Sequence, residues 1–415
     1  MMSLMKYVCV VLVFLLLSIE GFSSPYIGID SVNMYKVREA IQNGKAPDAI
    51  RAAYEHLIEN ANRLLSQDNP SVINKTIEPP TENMHDYLSI SRYWWPNPET
   101  PDGFPWVKKD GETNPASQTD AVDRKRLSRM TSGVETLCLA YYFTSDERYA
   151  EKAASMLKTW FLDDSTRMNP HLEFAQSVPG YSNNRPYGIL DGRYIGIRIP
   201  DAMNILSTSS NWTNDNNQKL RAWLTEYLIW LIESELGKKA FELDNNHGTW
   251  YKAQIASLAL FLGENAITEK MLESAQKSLA GQLNSEGGQI HELTRTRSFS
   301  YSCFNLDALT IIAVVGNRVG KDMWHYETED GKSLSLAIDY LAPVVNGEAW
   351  PHPSISGVEL PKLVPILARM SNNLESDKFA DLLSKTITIL IEEEKATGTN
   401  NKILQELRLV NNLTY

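Results

Sequence analysis

Apolar residues recur at intervals of three and four along most of this chain, the spacing that lines one face of an α-helix. The clearest stripe lies between positions 215 and 236, where Leu220, Trp223, Leu224, Tyr227, Leu228, Leu231 and Ile232 follow that period. The same pattern covers 31–65, 127–143, 149–161, 251–262, 267–283, 299–315, 334–345, 360–370 and 379–394. No alternating run is long enough to predict a sheet domain. Helices joined by loops that carry Gly, Asn and Pro predict an all-α fold of stacked helical hairpins, either an α/α toroid (an incomplete α/α barrel) or a solenoid. The hairpins share no visible repeat sequence, which favours the toroid, expected as one domain over 24–415.

Two stretches break the period. Residues 77–115 are rich in Pro, Trp, Tyr and Asp, and a long loop of this kind inside a compact domain is usually functional. Residues 171–200 set Tyr181, Asn183, Asn184, Arg185, Tyr187, Asp191 and Arg193 among glycines and prolines. Both are expected to wall or cover a cleft at one end of the toroid.

The N-terminus adds a compartment to the picture. Lys6 precedes an apolar run from Tyr7 to Leu17, followed by small residues at Gly21, Ser23 and Ser24. This predicts a signal peptide over 1–23 and a periplasmic or secreted product. The run is too short for a comfortable membrane span, and no later segment reads as one. Cys138 and Cys303 would remain, both in apolar helical patterns, which predicts unpaired thiols. At 415 residues, 43% hydrophobic and 22% charged, the chain has ample material for a large core. Its net charge of -11 argues against nucleic acid and against an anionic membrane surface as partners. It does not exclude an acidic substrate, because a local arginine cluster decides the potential inside a cleft.

Three clusters carry candidate chemistry. Asn245-Asn246-His247-Gly248 followed by Trp250-Tyr251 opens a helical pattern. Read alone it is a helix cap. The glycine and the aromatic pair also suit close approach of a ligand, with Trp250 available for stacking. The second cluster is His291-Glu292 with Arg295, Arg297 and Tyr301, just before an apolar helix. Arg297 and Tyr301 are four apart and would share a helix face, and a neighbouring guanidinium is expected to lower the Tyr301 pKa by stabilising phenolate. The bland alternative packs Tyr301 into the core and pairs the arginines with Glu292 at the surface. The third is Arg92-Tyr93-Trp94-Trp95-Pro96, whose rings would be costly as exposed apolar surface without a ligand.

Together the clusters resemble the alginate lyase superfamily of helical-toroid polysaccharide lyases. The resemblance runs from Met84-His85-Asp86-Tyr87 through Tyr93-Trp94-Trp95-Pro96 and Asn245-Asn246-His247 to 292–301. It is similar to the Bacteroides-type alginate/glucuronan lyases of family 38 more than to the bacterial alginate lyases of family 5. The latter place the relevant Arg seven before the Tyr and follow it with His, whereas Arg295 is six before Tyr301 and Ser302 follows. The resemblance implies β-elimination on a uronate-containing polysaccharide, alginate or glucuronan, leaving 4,5-unsaturated uronate ends. It implies Asn246 and Arg295 as carboxylate neutralisers, His247 as a further donor or base, and Tyr301 as general base, general acid, or both. Tyr93, Trp94, Trp95, Asn183, Asn184, Trp250 and Arg297 are the expected substrate-binding residues. No cofactor or metal is called for, since no Asp/Glu/His set has ligand spacing; the partner is the anionic polysaccharide, and oligomeric state is set by none of these features.

Three other readings compete. A glycoside hydrolase needs two carboxylates flanking the bond, for which Asp191, Asp201, Asp244 and Glu292 are the available residues. A heparinase-type lyase carries an additional β-sandwich, which is not expected where helical patterns run to the end of the sequence. A non-catalytic glycan binder would keep the aromatic rings but not require Tyr301 and His247.

Overall fold

The computed structural model describes residues 26–181, 185–374, 376–398 and 401–411. The signal-peptide stretch 1–23 and two expected binding residues, Asn183 and Asn184, lie outside the described residues.

Fifteen α-helices of four residues or more are present among the described residues. They are α1 (Ser31–Gln42), α2 (Asp48–Leu65), α3 (Arg124–Thr144), α4 (Glu147–Phe161), α5 (Arg193–Leu206), α6 (Asn214–Glu233), α7 (Glu235–Phe241) and α8 (Asn246–Leu262). Then follow α9 (Asn265–Gln282), α10 (Ile290–Leu293), α11 (Ser298–Arg318), α12 (Leu334–Leu341), α13 (Val364–Asn373), α14 (Asp377–Thr397) and α15 (Lys402–Val410). The strands are short: β1 (Leu88–Ile90) pairs in parallel with β4 (Phe174–Ser177), and β2 (Trp94–Trp95) pairs antiparallel with β3 (Val107–Lys108).

Local chemistry explains where the hydrophobic period was misread. The stretch 31–65 is two helices because Gly44 takes φ +66 after α1 and Pro47 lacks the N–H that would continue a helix. The stripe ending at 236 breaks at Ser234, whose hydroxyl accepts the Gly237 N–H at 3.0 Å and caps α7. Helix α5 was not expected, since Pro200 lies inside it and Arg193, Arg198 and Asp201 interrupt its apolar face.

Helices α3, α5, α8, α11 and α13 pack side by side in chain order, with α4 against α3, α9 against α8 and α14 against α13. Helix α15 packs on α1, α2 and α13, joining the first and last hairpins. One continuous core runs from Ile27 to Val410, including the fully buried Trp160, Phe161, Tyr227 and Phe299. Burying each such side chain contributes about 1.5–3 kcal/mol. A satellite cluster of Leu88, Ile90, Val122 and Phe174, with Trp106 against it, sits under the two aperiodic stretches.

Contrary to the sequence reading, α11 is long and apolar enough to cross a membrane, but 78% of its apolar window is buried inside the protein. Neighbouring helices therefore account for its composition. Cys138 and Cys303 are free and buried, as their surroundings predicted.

Candidate active site

The start of α8, the segment from α10 into α11 and the loop 77–115 meet, and the candidate residues are concentrated there. Asn245 caps α8 by accepting the His247 N–H at 3.0 Å. The capping reading of this motif is therefore correct, and it places Asn246 and His247 in the first turn. Gly248 serves packing rather than ligand approach, because a Cβ there would lie 1.8 Å from the Leu243 carbonyl oxygen. Trp250 and Tyr251 are 1% and 3% exposed, so the expectation that they meet a ligand is overturned. Trp250 donates Nε1–H to the Phe304 carbonyl at 3.0 Å, and Tyr251 donates its hydroxyl to the Leu231 carbonyl at 2.8 Å. Both amphipathic rings satisfied their polar atoms by burial against neighbouring helices.

Asn246 is fully buried and bound to Glu292. Its backbone N–H donates to Glu292 Oε1 at 2.8 Å, and its Nδ2 reaches Oε1 at 3.0 Å and Oε2 at 2.8 Å. Glu292 is 1% exposed, not a surface partner of the arginines. Burial pushes its carboxyl pKa up, against the Asn246 hydrogen bonds and the Arg295 charge. Asn246 Oδ1 and His247 Nδ1 are buried without a hydrogen-bond partner. Dense packing around His247, with Arg295 as a second cause, holds its pKa down at about 3, so the imidazole is neutral in the working range. Tyr187 sets an edge against that ring, with centroids 5.0 Å apart.

Tyr301 lies in the first turn of α11, where its hydroxyl donates to the Tyr93 hydroxyl at 2.8 Å. The Arg295 guanidinium sits over the Tyr301 ring at 3.8 Å. The pairing expected of Arg297 is thus made by Arg295, because Arg297 is the residue just before the helix, outside helical backbone, and donates Nε–H to the Gly111 carbonyl at 3.1 Å. Nor is the Tyr301 pKa lowered: burial raises it well above the ordinary phenol value, outweighing Arg295, and Tyr93 adds to the rise. Tyr301 is a protonated phenol at neutral pH.

Asp110 is the residue that sequence reasoning missed. It binds Arg295 through Nε at 3.2 Å and Nη2 at 2.7 Å, and accepts from Thr296 N at 3.2 Å and Oγ1 at 3.0 Å. Although partial burial opposes ionisation, these donors hold the Asp110 carboxyl down at about 2. Asp110 in turn keeps the Arg295 charge, raising its pKa despite desolvation, with Tyr301 and Glu292 adding to the rise. Gly111, at φ +79, lies so close to Thr296 that a Cβ would come within 2.3 Å of Oγ1. A glycine directly after an acid in a long aperiodic loop was the available signal.

The two aperiodic stretches do form adjoining walls. Trp94 meets Tyr181 at 5.1 Å, and the Tyr181 hydroxyl donates to the Trp106 carbonyl at 3.2 Å. Trp94 and Trp95 are partly exposed in β2, with Arg185 over Trp94 at 4.8 Å and Lys109 over Trp95 at 5.2 Å. Asp191 fixes the floor, accepting from Tyr87 at 3.0 Å, Ser89 at 2.6 Å, Arg124 at 2.7 Å and Gln176 at 3.0 Å.

A separate cavity of about 950 Å³ is lined by Glu135, Arg198, Asp307 and Arg369, and Trp250 borders it. Its charges are closed on themselves: Arg198 pairs with Glu135 at 3.1 Å, and Arg369 with Asp307. It includes none of His247, Arg295 and Tyr301. Among the described residues no group of three or more His, Cys, Asp or Glu is arranged to hold a metal.

Comparison with known proteins agrees with this geometry. The alginate lyase family model matches residues 71–350. An alginate lyase structure from Bacteroides ovatus is 30% identical, with TM-score 0.83, covering 94% of this chain and 99% of its own. Two structures of alginate lyase A1-III complexed with tetrasaccharide are each 16% identical, with TM-scores 0.55 and 0.57. They cover 87% and 86% of this chain and 91% and 90% of their own, and at that identity the likeness is one of fold. No curated protein matches the sequence. The family match and the Bacteroides ovatus relative, spanned almost end to end, show that the chain belongs to the alginate lyase family and is a polysaccharide lyase.

Proposed function

We propose that this lyase cleaves a uronate polymer of the alginate or glucuronan type by β-elimination, with Tyr301, His247, Arg295 and Asn246 as its working residues. The observation that carries the reading is the Tyr301 hydroxyl, held at 2.8 Å by Tyr93 beneath the Arg295 guanidinium and kept protonated by burial. In the reaction the C5–H and C4–O4 bonds break, a C4–C5 double bond forms, and O4 leaves with a proton. Negative charge grows on the carboxylate as C5 loses its proton, so groups that hold this charge act in the transition state. Arg295 supplies a fixed cation for it. Asn246, whose Nδ2 is held by Glu292, lends its amide to that charge once Nδ2 turns from Glu292 to the substrate carboxylate.

Tyr301 delivers its proton to O4 as general acid. In an anti elimination His247, neutral and so able to accept a proton, takes the C5 proton from a separate position, with its basicity reduced by burial. Where C5–H and O4 lie on one face of the sugar, Tyr301 does both jobs: its hydroxyl proton leaves through the Tyr93 hydroxyl to water, the phenolate takes the C5 proton, and that proton is returned to O4. Trp94 and Trp95 line the approach and suit stacking on sugar faces.

A hydrolytic mechanism finds no support. Asp191 is saturated by four donors, Asp201 holds the backbone N–H groups of Ile27 and Gly28, Glu292 is bound to Asn246, and Asp244 is exposed. No two of them form a free pair across a cleft.

The test is ultraviolet absorbance of the unsaturated product during incubation with polymannuronate, polyguluronate, glucuronan and glycosaminoglycans. Absorbance should rise with at least one of the first three. Tyr301→Phe should lower kcat by at least about 10³-fold while leaving oligosaccharide binding within a few-fold. Reducing ends without absorbance, or wild-type turnover by the variant, would sink the proposal.

A further inference from the structure

Arg185 stands apart from the other partly buried arginines at this end of the molecule. Arg295 is matched by Asp110, Arg124 by Asp191, and Arg193 donates Nη1–H to the Leu190 carbonyl at 3.0 Å. Arg297 is tied to the Gly111 carbonyl. Arg185 has only rings: its guanidinium lies 4.8 Å from the Trp94 centroid and 5.3 Å from that of Tyr187. Its Nη1 is buried with no hydrogen-bond partner, and no carboxylate pairs with it among the described residues. Aromatic faces attract a cation but use none of its N–H donors and bring no full negative charge. Arg185 is half-buried, and a buried N–H donor left without an acceptor costs free energy that a ligand's acceptor would recover.

The location fits such a ligand. Tyr187, which Arg185 covers on one side, is the ring set against His247, and Trp94 follows Tyr93, the partner of Tyr301. A planar guanidinium presents paired donors that match a carboxylate. We propose that Arg185 binds a carboxylate of the uronate chain in the cleft and so makes the enzyme prefer acidic over neutral sugar units. Arg295, held in place by its ion pair with Asp110, then stabilises charge as it develops, while Arg185 supplies ground-state selection. The proposal rests on the uronate reading above.

The experiment uses the full-length Tyr301→Phe protein, with and without Arg185→Gln, titrated calorimetrically with two ligands. One is a mannuronate, guluronate or glucuronate hexasaccharide, whichever polymer the wild type cleaves. The other is the same oligosaccharide with its carboxyl groups reduced to alcohols. A lost charge-assisted pair corresponds to about 10–100-fold weaker uronate binding, and affinity for the reduced ligand should stay within twofold. Arg185→Lys, which keeps the charge but not the fork, should fall between. The melting temperature of Arg185→Gln should match or exceed that of its parent, since an unpaired cation has been removed.

Unchanged uronate affinity, equal losses for both ligands, or a lowered melting temperature would overturn the assignment. If the wild type gives no absorbance with any uronate polymer, the functional reading fails first and takes this one with it.

Discussion

Glu292 shows how much of a site depends on a side chain that need never touch the substrate. Three hydrogen-bond contacts to Asn246 set the amide's position, and the carboxylate is buried with them. Glu292→Gln keeps the shape but turns one acceptor into a donor that faces the Asn246 amide nitrogen. Misplacement of this kind can cost up to about 10²-fold, so kcat should fall by about 10–100-fold with KM little changed. The stability loss should be about 1–3 kcal/mol, from leaving a buried donor unmatched. Steady-state kinetics and urea unfolding check both. Wild-type kcat, or a loss confined to KM, would remove Glu292 from this role. Asn246, His247, Arg295 and Tyr301 stand out in the sequence as polar clusters at helix starts and Tyr93 as part of an aromatic loop, while the roles expected of them came from the resemblance. Trp250 was not legible, since a ring beside such a cluster looks the same whether it faces a ligand or a core. Only three-dimensional packing decides that.

At the scale of elements, long amphipathic helices were legible because their apolar stripes must face the core, and the errors fall where that rule weakens. Helix α5 carries Pro200 and several charged residues on surfaces that meet other polar groups, so its period is blurred. The loop 77–115 was legible as functional but not in its docking, because its anchors pair residues more than 180 positions apart. Asp110 fastens it to Arg295 and Thr296, Gly111 to Arg297, and Tyr93 to Tyr301. Asp110→Asn should therefore loosen the loop and Arg295 together. The expected results are faster proteolytic nicking within 77–115 and a fall in kcat/KM of about 10–100-fold, the size of a lost hydrogen bond to a charged group. An unaltered nicking rate with intact kcat/KM would show that the other anchors suffice. The pH dependence of this tie has a definite sign: with Asp110 held at about 2 against an ordinary 3.8, its contribution is present above 3.8 and is lost as pH falls through about 2.

On the scale of the whole molecule, two buried groups far apart in sequence oppose each other in the balance between folding and pH. Asp201 takes the Ile27 and Gly28 N–H groups at 2.7 Å each, yet burial, with Glu135 adding to it, raises its pKa from 3.8 to about 7. Between those values the folded protein keeps a proton that the unfolded chain gives up, so this contribution to stability is lost as pH rises. His247 works the other way. Its pKa falls from 6.5 to about 3, so the unfolded chain binds a proton that the folded one refuses, and stability rises with pH across that interval. Over the shared window, from 3.8 to 6.5, the two slopes cancel. Removing either one should expose the other, at about 1.4 kcal/mol per pH unit for one proton. Relative to wild type, His247→Asn should lose stability as pH rises through this window, and Asp201→Asn should gain it. Urea unfolding of the three proteins at half-unit intervals measures both difference curves. Curves independent of pH would mean that neither group is held away from its ordinary ionisation. His247 would then titrate near 6.5, and an acid limb at that pH should appear in kcat/KM for the wild type and vanish in His247→Asn.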